Sequence, residues 1–306
     1  MNWTFEKIAG PYQGSCGGLA WDGQAMLFST ISEGCLMRFR PESEKAEVFR
    51  RYTNRVNGIA FGPNGELYGC QEGGRRVIEF LRDGSAVVHA HLLDGKVHNY
   101  PGDLVVDRSG RVWFTDPYHP VPSTGVQIFP LLDHASVLRL ECDHTRSAVR
   151  GTWSIKRVTF DTVAPRAVLL SPDEKILYVA EGDVGEESVR ELRAYPVRDD
   201  GSVGVHTVLH VFGSDYRGTH RGIEGMCLDS DGNIVAVGGW QRSGPGPLVH
   251  VFSPTGAVLE SHELPGDMPV RCAFGDQDLD ALYVTTAKGL VYRARAIGRK
   301  GFRSAH

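Results

Sequence analysis

The sequence predicts an all-β fold, a six-bladed β-propeller of four-stranded antiparallel blades. Three observations carry that prediction. One unit recurs six times: a short apolar strand, a turn rich in Asp, Gly or Pro, then a second apolar strand. Further strand-like runs lie between the units and complete four strands per unit. No helical period persists beyond two turns. A large β-sandwich or β-helix is the alternative, and six recurrences of one supersecondary unit argue against it.

The units follow in order. They read GGLAWDGQAMLFST from Gly17, NGIAFGPNGELYGC from Asn57, GDLVVDRSGRVWFTDP from Gly102, RAVLLSPDEKILYVAE from Arg166, EGMCLDSDGNIVAVGG from Glu224 and VRCAFGDQDLDALYVTT from Val270. Asn64-Gly65, Ser109-Gly110 and Asp231-Gly232 supply residues that tolerate the positive φ of a tight reversal. The flanking Val, Leu, Ile, Tyr and Phe suit strands buried between stacked sheets. Runs at Arg76, Ser136, Glu191 and Leu248 read as outer strands. The segment Asn2 to Ala9 is expected beside LVYRARAI, closing the ring and removing its open edges. The whole chain, residues 1–306, is expected to form this one domain. The long connection YHPVPSTGVQIFPLLDHA and the loop GSDYRGTHRG are candidates for binding loops or plain surface excursions.

Composition narrows the function. Lys and Arg number 33 against 37 Asp and Glu, a net charge of -4. A nucleic-acid or anionic-membrane surface needs a basic excess, so neither partner is expected. No run reaches about 18 apolar residues, and MNWTFEKIAGPY does not read as a leader peptide. Six scattered cysteines without CxxC spacing suggest reduced thiols, and a cytoplasmic setting is expected. The expected partner is a small-molecule substrate.

The first strand of each propeller blade lines the central channel, and the residue opening it stands at the channel mouth. Gly17, Asn57, Gly102, Arg166, Glu224 and Val270 therefore converge there. Charges at Arg166 and Glu224, ahead of core strands, must be paired or wetted. Either they bridge as a solvated ion pair, or they do chemistry. Asp103 follows the third opening residue. His98 and Tyr100 flank it, and His98 suits proton transfer or a loop hydrogen bond. His220 precedes Glu224 by four residues and is a candidate acid–base neighbour. Tyr118 and His119 follow the WFTDP strand, and Trp240 follows VAVGG as a candidate pocket wall or core aromatic. Glu72 reads as a ligand or a hairpin residue. Asp107 and Asp116 read as structural turn caps. No GxSxG elbow or phosphate loop is present.

The segments AWDGQAMLFS, NGIAFGPNGELYGCQEGGRRV, DGKVHNYPGDLVVDRSGRVWFTDPY, LLSPDEKILYVAE, EGMCLDSDGNI and CAFGDQDLDALYVTT resemble the senescence marker protein/gluconolactonase/luciferin-regenerating enzyme family, across about residues 14 to 295. The third is highly specific, being close to the family signature N-x-P-N-D-L-V-V-D…W-F-T-D-P. The resemblance implies hydrolysis of sugar lactones with one divalent cation, often calcium or zinc, at the channel mouth. It also implies metal ligands: Glu at the first opening position, Asn at the fourth, Asp at the fifth, and an Asn at the third that reaches water or substrate. This chain has Gly17, Arg166, Glu224 and Gly102 there. Of the three ligands only Glu224 keeps an oxygen, so it is the one metal ligand the comparison leaves. Calcium wants 6–8 oxygen donors, and an arginine places a fixed cation where an oxygen belongs.

The expectation is a lactone, ester or related cyclic-carbonyl hydrolase in which Arg166 replaces the cation and Glu224 is the acid or base, aided by Asp103, His220 or His98. Gly17 and Gly102 would vacate volume for a larger substrate, walled by Asn57, Tyr100, Tyr118 and Trp240. A metal in a shifted site, held by Glu224, Asp103 and carbonyls, is the rival. Fold does not fix function, so a Glu-based isomerase, lyase or condensing propeller and a non-catalytic binding propeller both stay open.

Overall fold

A computed structural model describes residues 2–119, 128–143, 151–182 and 190–303. Among them lie six four-stranded antiparallel sheets, five of them simple meanders in chain order, and no helix. The inner strands are Cys16–Trp21, Val56–Phe61, Leu104–Val106, Pro165–Leu170, Ile223–Leu228 and Pro269–Gly275, defining blades 1 to 6. Each packs on the inner strand of the next blade, and the first packs on the last. The ring is thus closed, with blade 3 facing blade 6 across the channel. The sixth blade takes its outer strand, Phe5–Ala9, from the start of the chain, paired antiparallel to Val291–Ala294. This is the closure expected from the sequence.

The core is divided among the blade interfaces. Six apolar clusters are present among the described residues, one per interface. Phe28 and Met37 of blade 1 meet Tyr283 and Val291 of blade 6, for example. Tyr68 and Cys70 of blade 2 meet Phe114 and Leu138 of blade 3. Burying both faces of the strands next to the inner ones, such as Met26–Thr30 and Val112–Asp116, explains the apolar runs in the repeat, since each such side chain contributes roughly 1.5–3 kcal/mol.

The turns behave as their chemistry requires. Gly65 and Gly232 adopt φ of 83° and 79°. Asp22, Asp107 and Asp229 each accept backbone N–H groups two to four residues ahead. Asp107 also takes the Trp113 indole N–H at 2.8 Å, and Asp116 takes the N–H groups of Asn99 and Tyr100 at 2.9 and 2.8 Å. Both are structural, as read from the sequence.

One irregularity repeats. Five inner strands slip register at the same point: between Cys16 and Leu19, Val56 and Ile59, Pro165 and Ala167, Ile223 and Gly225, and Pro269 and Arg271. The residue displaced by a bulge is released from the ladder and its side chain is re-aimed. The displaced residues include Gly17, Asn57, Arg166, Glu224 and Val270. The bulge is therefore the local device that presents the mouth residues.

Candidate active site

The next residue round the ring is Gly18, Gly58, Asp103, Ala167, Gly225 and Arg271 in blades 1 to 6. Arg271 reaches from blade 6 to Asp103 on the opposite blade, Nε to Oδ1 at 2.9 Å. Its Nη1 donates to the carbonyls of Glu224 and Val270. The other Asp103 oxygen accepts Val168 N–H at 3.1 Å. This ion pair crosses the channel because its four neighbours are small. A Cβ on Gly18, Gly58 or Gly225 would stand within 2.7 Å of the adjacent blade's backbone. Burial lifts the Asp103 carboxyl above the ordinary aspartate value, and Arg271 limits that lift.

Above this crossbar sits Glu224. Its nearest cation is Arg221, Nε to Oε1 at 3.1 Å. Burial works to raise the Glu224 carboxyl, but the charges of Arg221, Arg166 and Arg271 outweigh it, and the carboxyl ends below its ordinary value. It is an anion at neutral pH. Arg166 thus acts on Glu224 through its charge, while the direct hydrogen bond comes from Arg221. This corrects the expected Arg166–Glu224 partnership. The charged group of blade 6 is likewise Arg271, not the buried Val270.

On the blade 2 side a second network forms. Glu72 is buried and accepts from Asn57 Nδ2 at 2.8 Å, Tyr100 OH at 2.5 Å and Arg55 at 3.2 Å. Burial pushes Glu72 up against the pull of these three donors. Because Asn57 gives its amide hydrogens to Glu72, its Oδ1 must point the other way. That oxygen is buried and accepts no hydrogen bond among the described residues. It stands 2.7 Å from the place a Gly17 Cβ would occupy, with Ser29 Oγ at 2.6 Å. Gly17 therefore does not vacate volume, contrary to the expectation; Asn57 and Ser29 already fill it. Gly102 is less crowded, since a Cβ there meets Thr115 Oγ1 at 3.3 Å and no backbone closer than Tyr100 O at 3.8 Å.

The remaining expected site residues fall elsewhere. His98 is fully buried, edge-on to Phe114, with Nδ1 3.1 Å from Arg75 O. Burial drives it down to about 4. A histidine closed off in the core has no path to exchange a proton with substrate, which corrects its assignment as a proton shuttle. His220 lies 3.7 Å from Asp215 and lines a separate 220 Å³ cavity with His210 and His250. Trp240 donates to Ser243 Oγ at 2.6 Å within its own loop. Tyr118 is 65% exposed, and His119 stacks on Tyr100 at 4.6 Å. Residues 120–127 of the long connection lie outside the described residues. The sequence reading does not single out Arg221, Arg271 or Arg55. Aligning the repeats at the bulge exposes Arg271, because the other units carry Gly, Ala or Asp at its place.

A cavity of about 1080 Å³ fills the other end of the channel. Asp103 and Arg271 line it, whereas Gly17, Asn57, Gly102, Arg166 and Glu224 do not. The crossbar therefore separates the charged mouth from a mainly apolar chamber walled by Trp21, Phe61 and Phe274.

A family model described as the SMP-30/Gluconolactonase/LRE-like region matches residues 16–288. The chain belongs to this family. A gluconolactonase of Zymomonas mobilis is 27% identical over 94% of this chain and 80% of its own length. A 6-deoxy-6-sulfogluconolactonase of Pseudomonas putida is 27% identical over 72% of this chain and 68% of its own. Among solved structures, a gluconolactonase from Xanthomonas campestris superposes with a TM-score of 0.76 at 27% identity, covering 95% of this chain and 89% of that one. A regucalcin from Agrobacterium tumefaciens, described as calcium-binding, gives 0.71 at 17% identity over 99% and 98%, a likeness of fold.

The residues of this mouth do not suit a divalent cation. A side-chain ligand at position 17 would collide with Ser29 and Asn57. Asp103 and the Glu224 carbonyl are already engaged by Arg271. Among the described residues, three guanidiniums act on Glu224, and Glu72 is taken up by Asn57, Tyr100 and Arg55. No group of three or more His, Cys, Asp or Glu poised for a metal occurs among the described residues. A cation drawn to Glu224 would meet repulsion from those arginines at reduced dielectric. The shifted metal site held by Glu224, Asp103 and carbonyls fails on the same contacts.

Proposed function

We propose that this chain hydrolyses a lactone or closely related cyclic ester at the channel mouth, with arginine in the place of a metal. The observation that carries the reading is Glu224, displaced on a bulged inner strand, hydrogen-bonded by Arg221 at 3.1 Å and facing the charges of Arg166 and Arg271. Family membership and the named lactonases among its relatives support the substrate class.

In this reading Glu224 orients water and takes its proton as the oxygen adds to the lactone carbonyl. The carbonyl electrons move onto oxygen, where the Arg166 guanidinium stabilises the charge. Collapse expels the ring oxygen, which takes the proton, and a hydroxy acid leaves. Glu224 is a weak base because its neighbours hold its pKa down. The rate must therefore come from positioning and from the electrophile.

The test is hydrolysis of D-gluconolactone in ¹⁸O-labelled water by wild type, Arg166→Ala and Glu224→Gln. The reading expects label in the product acid and a fall in kcat/KM of about 10²-fold or more in each variant. Unlabelled product would indicate isomerisation or another non-hydrolytic reaction. Variants as active as wild type would remove both residues from the mechanism.

A further inference from the structure

Arg271 has more to offer than its crossbar. The guanidinium carries five N–H donors in a fixed fork. Nε stands 2.9 Å from Asp103 Oδ1 as an ion pair, outside hydrogen-bond alignment, and Nη1 donates to the carbonyls of Glu224 and Val270. Nη2 has no hydrogen-bond partner among the described residues. It lies 4.0 Å from the point where a Gly102 Cβ would stand. Gly102 differs from the other ring glycines. Gly18, Gly58 and Gly225 are forced by backbone of the next blade, at 2.4, 2.7 and 2.5 Å. At Gly102 no backbone stands closer than Tyr100 O at 3.8 Å. Position 102 is thus the least crowded of these four, closed by the Thr115 hydroxyl at 3.3 Å and with a rigid cationic donor on its edge. Three guanidiniums (Arg166, Arg221, Arg271) bear on Glu224 and Asp103, and Glu72 with Arg55 forms the neighbouring network.

We infer that the substrate carries an oxyanion substituent of the carboxylate or sulfonate type, and that Arg271 Nη2 binds it in the space beside Gly102. A guanidinium edge suits such a group, and one already immobilised loses little freedom on binding it. The chemistry of turnover rests on the lactonase reading, but the binding does not.

Two measurements separate them. Calorimetry with D-glucarate, and with uncharged sorbitol as the control, is run on wild type, Arg271→Lys and Gly102→Asn. Hydrolysis of D-glucarolactone and D-gluconolactone is followed on the same proteins. The inference expects glucarate to bind and sorbitol not to. Each substitution should weaken glucarate roughly tenfold or more, and added salt should weaken it in wild type. Each should also lower kcat/KM for the acidic lactone more than for the neutral one. Gly102→Asn removes neither partner of the crossbar, so it stays informative if Arg271→Lys fails to fold. Glucarate binding that both variants leave unchanged, or equal binding of sorbitol, overturns the inference. Arg271-dependent glucarate binding without hydrolysis of either lactone would uphold it and overturn the lactonase reading.

Discussion

Two carboxylates and a histidine show how neighbours set the chemistry of single residues. Glu224 and Glu72 are both removed from water, yet they move in opposite directions. Glu224 faces three guanidiniums and ends low, while Glu72 has one partly exposed arginine and ends high. If the Glu224 carboxylate is the working form, the acid limb of kcat/KM lies below pH 4.5, its ordinary value, and activity is lost only as pH falls through that lower range. An acid limb near neutrality would contradict the assignment. His98 gives a stability prediction of its own. The folded state holds it near 4, against 6.5 when exposed, so the neutral form carries the stability. That contribution is complete above pH 6.5 and fades as pH falls towards about 4. Thermal melts across this window should show a slope that His98→Gln reduces; an unchanged slope would place the titrating group elsewhere.

At the scale of the strand, the bulge matters most. It sits at one register position in five blades and turns the opening residue out of the ladder. The residue after it must then be small wherever the next blade approaches. Gly58→Ala would push a Cβ to 2.7 Å from Gly102 O and should cost about 1–3 kcal/mol in urea unfolding. Gly102→Ala, by contrast, meets only the Thr115 hydroxyl at 3.3 Å and should cost clearly less than Gly58→Ala. Equal costs would mean the crowding does not depend on register. The six opening positions were legible in the sequence because the repeat fixes them. The roles of their side chains were not. Arg221 hydrogen-bonds Glu224 from three residues upstream, and Arg271 lies one residue past the opening position. Which guanidinium reaches which carboxylate depends on the bulge and on the facing blade, and neither is written in a local motif. Gly17 and Gly102 read alike in sequence and differ only in what stands opposite them.

For the whole molecule, closure and division of the channel follow from one ring. The fold class, the six units and the closing strand Phe5–Ala9 could be read from repeat spacing and turn chemistry. The crossbar could not, because Asp103 and Arg271 are 168 positions apart in sequence and meet only when blade 3 faces blade 6. Deleting residues 2–9 should expose the edge of Val291–Ala294 and produce concentration-dependent association, seen by light scattering. A monodisperse truncated protein would show that the closing strand is dispensable.

The claim that arginine stands where relatives suggest a metal is tested most directly on the purified wild-type protein. Metal content is measured alongside melting temperature and lactone hydrolysis, with EDTA and with added calcium. A ligand that binds only the folded state raises the melting temperature by mass action. The account predicts no stoichiometric metal, no shift in melting and no loss of hydrolysis in EDTA. Bound metal at one per chain, with a melt and an activity that EDTA lowers and calcium restores, would contradict it.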